Sequence, residues 1–220
     1  QDEVDDALLS STLQQVVAQG ADPEWSRRCL DSVDGKGSAR VAGLLSISEA
    51  TPLRARSATA ADETMLLEWA NDPGVRTSAF SAMQITPESH HTWFQQRLQD
   101  ANSCHIYVIE TEAEIPVGQV RFDRSGEAWR IDFAIAPGLR RRRLGSRLLY
   151  SALKRLSERE PNAVVVGDVK MDNHPSRRVF ESLGFHSRET GEAVRYELVL
   201  DGSLFGSPRD PRNVRPLESA

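Results

Sequence analysis

The stretch from Ala134 to Leu149 (Ala-Ile-Ala-Pro-Gly-Leu-Arg-Arg-Arg-Arg-Leu-Gly-Ser-Arg-Leu-Leu) constrains the fold more than any other part of the chain. It joins an alternating segment to a helical one through a proline turn and a basic, glycine-containing loop. On its N-terminal side Trp129, Ile131, Phe133 and Ile135 alternate with Arg130, Asp132 and Ala134, so a strand here buries one face and leaves the other to line a cleft. On its C-terminal side Leu144, Leu148, Leu149, Ala152, Leu153 and Leu156 keep the helical period as far as Ser157. The first N–H groups of such a helix point into the loop and favour a phosphate by about 0.3 to 2 kcal/mol, and neighbouring arginines add charge-assisted bonds. The loop therefore suits a pyrophosphate. The same arginine run, Arg140 to Arg143, is also what a solvated basic face or a nucleic-acid patch looks like.

The flanking patterns extend this strand–loop–helix unit into a domain. His105 to Glu110 and Val117 to Phe122 predict two strands that form an antiparallel meander with Trp129 to Ile135. Ahead of them, Thr59 with Asp62 makes a capping-box pattern opening a helix whose Met65, Leu66 and Trp69 share a face and which ends before Pro73. Thr86-Pro87 opens a second helix that buries Trp93, Phe94 and Leu98. Downstream, the apolar run Ala163 to Val166 reads as a central parallel strand continuing to Val169, followed by a helix from Pro175 to Leu183 and a strand from Val194 to Val199. The order is that of an α/β domain with a mixed, mostly antiparallel sheet flanked by helices, over residues 54–200. Residues 1–48 read as two helical stretches, Asp5 to Gln19 and Pro23 to Ser32, then a glycine turn at Asp34 to Gly37 and an apolar run, Val41 to Ile47, too little for a core of their own. Residues 49–53 read as a linker, and residues 201–220 as a flexible tail.

Composition removes several classes of function. With 39% hydrophobic and 27% charged residues the chain is globular rather than disordered. A net charge of −5 argues against nucleic-acid binding, and no apolar stretch reaches the roughly 20 residues needed to cross a bilayer. The acidic first residues, Gln1 to Asp6, are unlike a targeting segment, so a cytoplasmic location is expected. Cys29 and Cys104 lack metal-ligand spacing, so free thiols and no metal are expected. Starting at Gln1 without an initiator methionine, the chain reads as a processed product or a piece of something longer.

Arg140-Arg141-Arg142-Arg143-Leu144-Gly145 resembles the coenzyme A loop of the GNAT N-acetyltransferase superfamily, Arg/Gln-x-x-Gly-x-Gly/Ala, at Arg140 and Gly145. Arg143 stands where the family usually has its first glycine; either the backbone there is right-handed, or the approach of the phosphate is altered. Asn173-His-Pro-Ser176-Arg-Arg-Val-Phe180-Glu-Ser-Leu-Gly184-Phe185 resembles a second family segment, Asn-x-x-Ala/Ser-x-x-x-Tyr/Phe-x-x-x-Gly-Phe, at every marked position. The resemblance implies an acetyl-CoA site made of Ile135 and Ala136 backbone, Arg140, Arg141, Arg142, Arg143, Leu144, Gly145, Ser146, Asn173 and Phe180, with the pantetheine arm lying between splayed strands. It implies direct transfer, in which a neutral amine attacks the thioester and a backbone N–H near Ile135 stabilises the oxyanion. An alkylamine with a pKa near ~10.4 costs about 4 to 5 kcal/mol to neutralise at pH 7, whereas a weaker base costs less. Asp132, Glu127 and His90 are the candidate bases. Relatives often have tyrosine where this chain has Phe180, so Ser176, or water held by Asn173, is the candidate thiolate donor. Cys104 lacks the surroundings of an acyl-carrying nucleophile.

Within the superfamily, Leu67-Glu-Trp69-Ala-Asn71-Asp-Pro-Gly-Val-Arg76, His90-x-x-Trp93-Phe94 and Val117-Gly-Gln-Val-Arg-Phe-Asp123 resemble amino-sugar-nucleotide acetyltransferases of the pseudaminic acid type. Val33 to Val41 resembles the last helix and turn of the nucleotide-sugar hydrolase of that pathway, without its catalytic parts. These resemblances imply a UDP-linked 4-amino-4,6-dideoxy sugar as acceptor, contacted by Asn71, Arg76 and His90. Two competing readings are a protein N-terminal or lysine acetyltransferase and a non-catalytic acetyl-CoA-binding module. A homodimer is left open.

Overall fold

The computed structural model describes Arg27 and residues 37–206. The stretches Asp5 to Gln19 and Pro23 to Ser32 (Arg27 excepted), Cys29 and the tail beyond Gly206 lie outside the described residues. The chain divides into two compact units at Leu45 and Ser46. In the first, helix α1 (Gly37–Ser46) takes up most of the apolar run after the glycine turn, with Leu44 and Leu45 exposed.

The second unit is built on seven strands: β1 (Leu53–Ser57), β2 (Cys104–Thr111), β3 (Pro116–Ser125), β4 (Ala128–Ile135), β5 (Val164–Lys170), β6 (His186–Thr190) and β7 (Ala193–Val199). Their order in the sheet is β1-β2-β3-β4-β5-β7-β6, and every neighbouring pair is antiparallel except β4 and β5. Helices α2 (Glu63–Ala70), α3 (Pro73–Ser78) and α4 (Pro87–Gln99) come before the meander, α5 (Gly145–Ser157) follows β4, and α6 (His174–Ser182) follows β5. Side chains alternate across the sheet: Gly118 meets Leu148 of α5, whereas Arg121 lies beneath Trp93 of α4. Leu148, Leu149, Leu153 and Leu156 of α5 are fully buried, each contributing about 1.5 to 3 kcal/mol.

Four segments depart from the sequence expectation. Helix α3 starts at Pro73, where only the end of α2 is expected, because Asp72 caps it through Gly74 and Val75 N–H and proline suits its first position. Leu53, assigned to the linker, opens edge strand β1, which has no apolar alternation to announce it. It is held instead by charge: Arg54 Nε (2.9 Å) and Arg56 Nε (2.8 Å) donate to the two carboxylate oxygens of buried Glu110, and Arg56 also pairs with Asp62 at 2.7 Å. Strand β6 was missed because all five of its residues are exposed and polar, so it has no buried face to impose a period. The start of the expected flexible tail is ordered, because the short 3-10 turn Ser203–Gly206 buries Leu204 and sets Phe205 edge-on to Tyr150.

Two buried histidines make stability depend on pH. Burial pushes the imidazoles of His90 and His105 below their ordinary 6.5. In the window below 6.5 the unfolded chain therefore binds more protons than the folded one, so stability falls as pH falls. Melting temperature is expected to drop between pH 7.5 and 5.5, above the range where the carboxylates titrate. His90→Phe, which keeps a ring against Phe94 (5.5 Å between centroids now), should make that drop smaller. An equal drop in the variant would remove His90 as a cause.

Candidate active site

The site begins where the parallel pair ends. β4 and β5 are in register only at Ala128↔Val164, Trp129↔Val165 and Arg130↔Val166, and beyond that point the two strands run on unpaired. The groups that face this gap follow from the antiparallel ladder with β3. Ala136 N–H bonds to Val117 O at 2.8 Å, so Ile135, opposite Gly118, falls in the non-bonded position and turns its N–H and C=O away from β3 into the gap. The Ala136 backbone is otherwise engaged, since its carbonyl accepts from Leu139 N–H at 2.9 Å. Of the two residues expected to hold a pantetheine arm, Ile135 has the open backbone and Ala136 does not.

From Ala136 the chain passes through a 3-10 turn, Pro137–Leu139, into the arginine loop. Leu144 stands at the N-cap of α5 and makes no side-chain cap bond, whereas Asp72, Thr86 and Asn173 do so for α3, α4 and α6. The first N–H groups of α5 thus face the loop without intrahelical partners. The arginines divide their work. Arg140 pairs with Asp72 at 2.6 Å, and Asp72 also caps α3 through Gly74 and Val75 N–H, so the loop is tied to the segment on the opposite face. Arg142 donates to Ile47 O at 3.1 Å, and Arg143 lies 3.5 Å from Glu49. Arg141 is exposed and makes no ion pair among the described residues, which leaves it the most available cation for a phosphate. Gly145 lets Val179 of α6 approach, and the Ser146 and Ser182 hydroxyls meet at 2.7 Å.

Arg141 and Arg143 both have left-handed backbone, with φ of 64° and 57°. The right-handed alternative for Arg143 is thereby excluded: the position keeps the conformation that favours glycine while carrying an arginine. A non-glycine residue there costs roughly 1 to 2 kcal/mol. Arg143→Gly recovers this less about 0.4 to 1 kcal/mol of unfolded-chain entropy, and the exposed pair with Glu49 adds little. The net gain is about 0 to 1.6 kcal/mol, so the variant should melt up to about 6 °C higher, and a lower melting temperature would refute the strain.

On the far wall, Asn173 caps α6 by accepting from Ser176 N–H at 3.2 Å, and Ser176 is half-buried in the first turn. Phe180 is part of the packed core, stacked on Tyr196 at 4.9 Å and edge-on to Phe133 and Phe185. Its Cζ would lie 2.7 Å from a Cβ at Gly167, so the ring forms the floor where the strands part.

The three candidate bases differ sharply in placement. Glu127 sits in the β3–β4 turn, about 16 Å of strand before Asp132, toward the closed end of the pair. His90 is 4% exposed, lies against Phe94 and Trp93, and is held neutral by burial. Asp132 stands on the α4 face of β4 just past the last paired residue, exposed to 58%, with Arg121 at 3.4 Å. Burial works against the charge of Arg121, but Asp132 and Asp123 outweigh it and raise its pKa. Among the expected acceptor residues, Asn71 uses both ends of its carboxamide on the Ile85 backbone, at 2.8 Å each, and so shapes the 71–85 segment rather than presenting a free group. Arg76 donates to Met83 O at 3.1 Å and leaves its Nε unpartnered. Sequence reasoning passed over Arg121 and Asp72, whose contacts come from cross-strand and cross-face neighbours. Cys104 is buried, and burial together with Asp123 pushes its thiol up to about 12, which removes it as a nucleophile. Among the described residues no cluster of three or more His, Cys, Asp or Glu side chains is placed to hold a metal ion, and no described helix is long and apolar enough to cross a membrane.

A gap between parted parallel strands, opening onto an uncapped helix start through an arginine loop, is the arrangement expected of the coenzyme A site. Residues 53–186 match the family model described as an acetyltransferase (GNAT) domain. The chain belongs to the GNAT acetyltransferase family. It is similar to phosphinothricin N-acetyltransferase of Streptomyces viridochromogenes, with 28% identity over 179 residues, 77% of this chain and 97% of the relative. In fold it is similar to spermidine N-acetyltransferase from Vibrio cholerae, solved with CoA and spermine (TM-score 0.61, 15% identity, 67% of this chain and 95% of that one). A Salmonella typhimurium protein solved with acetyl-CoA is comparably similar (TM-score 0.56, 20% identity, 69% and 95%). The chain is thus an acetyl-CoA-dependent N-acetyltransferase of the GNAT type.

Proposed function

We propose that this acetyltransferase acts on the primary amine of a small molecule, using Asp132 as the base that takes the amine's proton. Acetyl-CoA lies along β4, with its pyrophosphate at the start of α5 beside Arg141 and its thioester near Ile135. The amine comes from the α4 face. Attack forms the C–N bond, the Ile135 N–H steadies the oxyanion, and the C–S bond breaks to release coenzyme A, whose thiolate takes a proton from Ser176 or from water held by Asn173. The observation that carries this reading is the parting of β4 and β5 after Arg130 and Val166, which leaves Ile135's backbone open beside the arginine loop.

The finer reading is the 4-amino group of a UDP-linked amino-dideoxy sugar in pseudaminic acid-type biosynthesis. It rests on the sequence resemblances of the 67–76, 90–94 and 117–123 segments. It also fits a half-exposed carboxylate as base, because an amine flanked by sugar oxygens is easier to neutralise than an alkylamine. An amino acid as acceptor is a second reading, favoured by the similarity to the Streptomyces enzyme over most of both chains. Thiol release measured with UDP-4-amino sugars, amino acids, polyamines and peptides separates these. Release with other amines but none with any nucleotide sugar would end the sugar reading. Acetyl-CoA binding without release from any amine would end the enzymatic one.

A further inference from the structure

We infer that the acceptor carries an anionic group and that Arg130 receives it. This rests on the reading above, in which the amine meets Asp132 on the α4 face. On that face a shallow, open depression of about 290 Å³ is lined by Phe80, Arg130, Asp168, Thr190, Ala193 and Arg195. It lies at the foot of the gap: Arg130 is the last β4 residue in register with β5, and Asp168 stands two residues beyond Val166.

The charges lining the depression leave one unbalanced. Arg195 holds Asp168 through two bonds, 2.8 Å from Nε and 2.9 Å from Nη2, and with this pairing the Asp168 carboxyl is held below its usual range. That pair is internally neutral. Arg130 forms no ion pair within 4 Å among the described residues, although its charge also acts on Asp168, and its cross-strand neighbour Asp123 is engaged by Arg121; two guanidinium groups against one carboxylate leave the lining with one positive charge in excess. Phe80, which shares the lining, is 60% exposed, an apolar surface left in water. A free guanidinium beside an exposed ring suits a carboxylate or phosphate attached to a compact organic frame, since guanidinium binds both oxyanions in a two-bond fork. A polyamine has the opposite chemistry, because its second ammonium would lie against Arg130. Arg130 and Asp132 point to the same face, on the order of 6 to 7 Å apart along the strand, which sets the separation of anion and amine at about one sugar ring or a short carbon chain.

The test uses the whole chain, saturating acetyl-CoA, and paired acceptors that differ in the anionic group: glucosamine 1-phosphate against glucosamine, and 4-aminobutanoate against butylamine. The anionic member of at least one pair is expected to have a kcat/KM about tenfold higher or more, and the pair that shows it identifies phosphate or carboxylate as the source. Arg130→Gln should narrow that preference to within about threefold, mainly through KM, and Arg130→Lys should restore part of it. Equal loss for both members of a pair, or spermidine outperforming every anionic amine, would overturn the inference. If no amine is turned over, the acetyltransfer reading fails separately. Calorimetry with pyrophosphate and glutamate on protein saturated with coenzyme A then decides the site, with binding lost in Arg130→Gln supporting it and absent or unchanged binding refuting it.

Discussion

Gly118→Ala is expected to lower the melting temperature by about 6 to 12 °C and to weaken acetyl-CoA binding at the same time. A Cβ on Gly118 would lie 2.4 Å from the carbonyl oxygen of Ala134, 2.5 Å from Leu148 Cδ1 and 3.1 Å from Ile135 Cα. Two of these neighbours are backbone of the adjacent strand, and the third belongs to a fully buried leucine of α5. None is the loose end of a surface chain, so either β4 moves away from β3 or α5 lifts from the sheet. Overpacking of this kind costs about 3 kcal/mol, and a domain of this size loses roughly 2 to 4 °C per kcal/mol. The cofactor effect follows from the register. Gly118 stands opposite Ile135, the residue whose backbone faces the gap, so relief of the clash displaces the group that would hold the pantetheine arm. Gly138→Ala is the control: it lies near the same loop, its Cβ would meet nothing within 4 Å, and a change within about ±0.5 kcal/mol is expected. A Gly118→Ala protein melting within 2 °C of wild type would show that the sheet absorbs the methyl group and that this reading of the glycine is wrong.

Gly118 also illustrates what the sequence could and could not convey. The meander, α5, β5 and α6 were legible because each carries an apolar period that only one element satisfies, and the capping residues Thr59 and Thr86 marked where helical segments begin, whereas Asn173, read as a cofactor contact, caps α6 in the structure. Strands β1 and β6 were not, since the first is held by arginines on Glu110 and the second has no buried face. The same division runs through the site. The arginine loop and the Asn173 segment are contiguous motifs and could be read from one end to the other. The division of labour among the arginines could not, because Arg140 is bound to Asp72, 68 positions earlier by sequence number, and Arg142 to Ile47. Asn71 was expected at the acceptor from the resemblance of the 67–76 segment, yet its carboxamide closes on the Ile85 backbone. Arg130 and Asp132 share a strand face, which the alternation gave, but which of them is already paired depends on Arg121 in β3.

Asp132→Asn is expected to lower kcat by on the order of 10²-fold, the usual contribution of a positioned base. The loss should grow with the basicity of the acceptor, because an alkylamine near ~10.4 depends on proton removal more than an amine flanked by electron-withdrawing oxygens. Asparagine keeps the shape of the side chain and its proximity to Arg121, so stability should change little; an exposed pair of this kind is worth about 0 to 1 kcal/mol. Affinity for acetyl-CoA should also hold, since the cofactor contacts assigned to β4 are backbone groups at Ile135. Chemical rescue separates a base from a structural pair. If Asp132 takes the proton, added formate or acetate restores part of the variant's rate. If Asp132 only positions Arg121, added carboxylate has no effect and kcat stays within about threefold of wild type. In that event, with Glu127 in a distant turn and His90 sealed beneath Trp93 and Phe94, the acceptor must arrive already neutral, and the enzyme would be restricted to weakly basic amines.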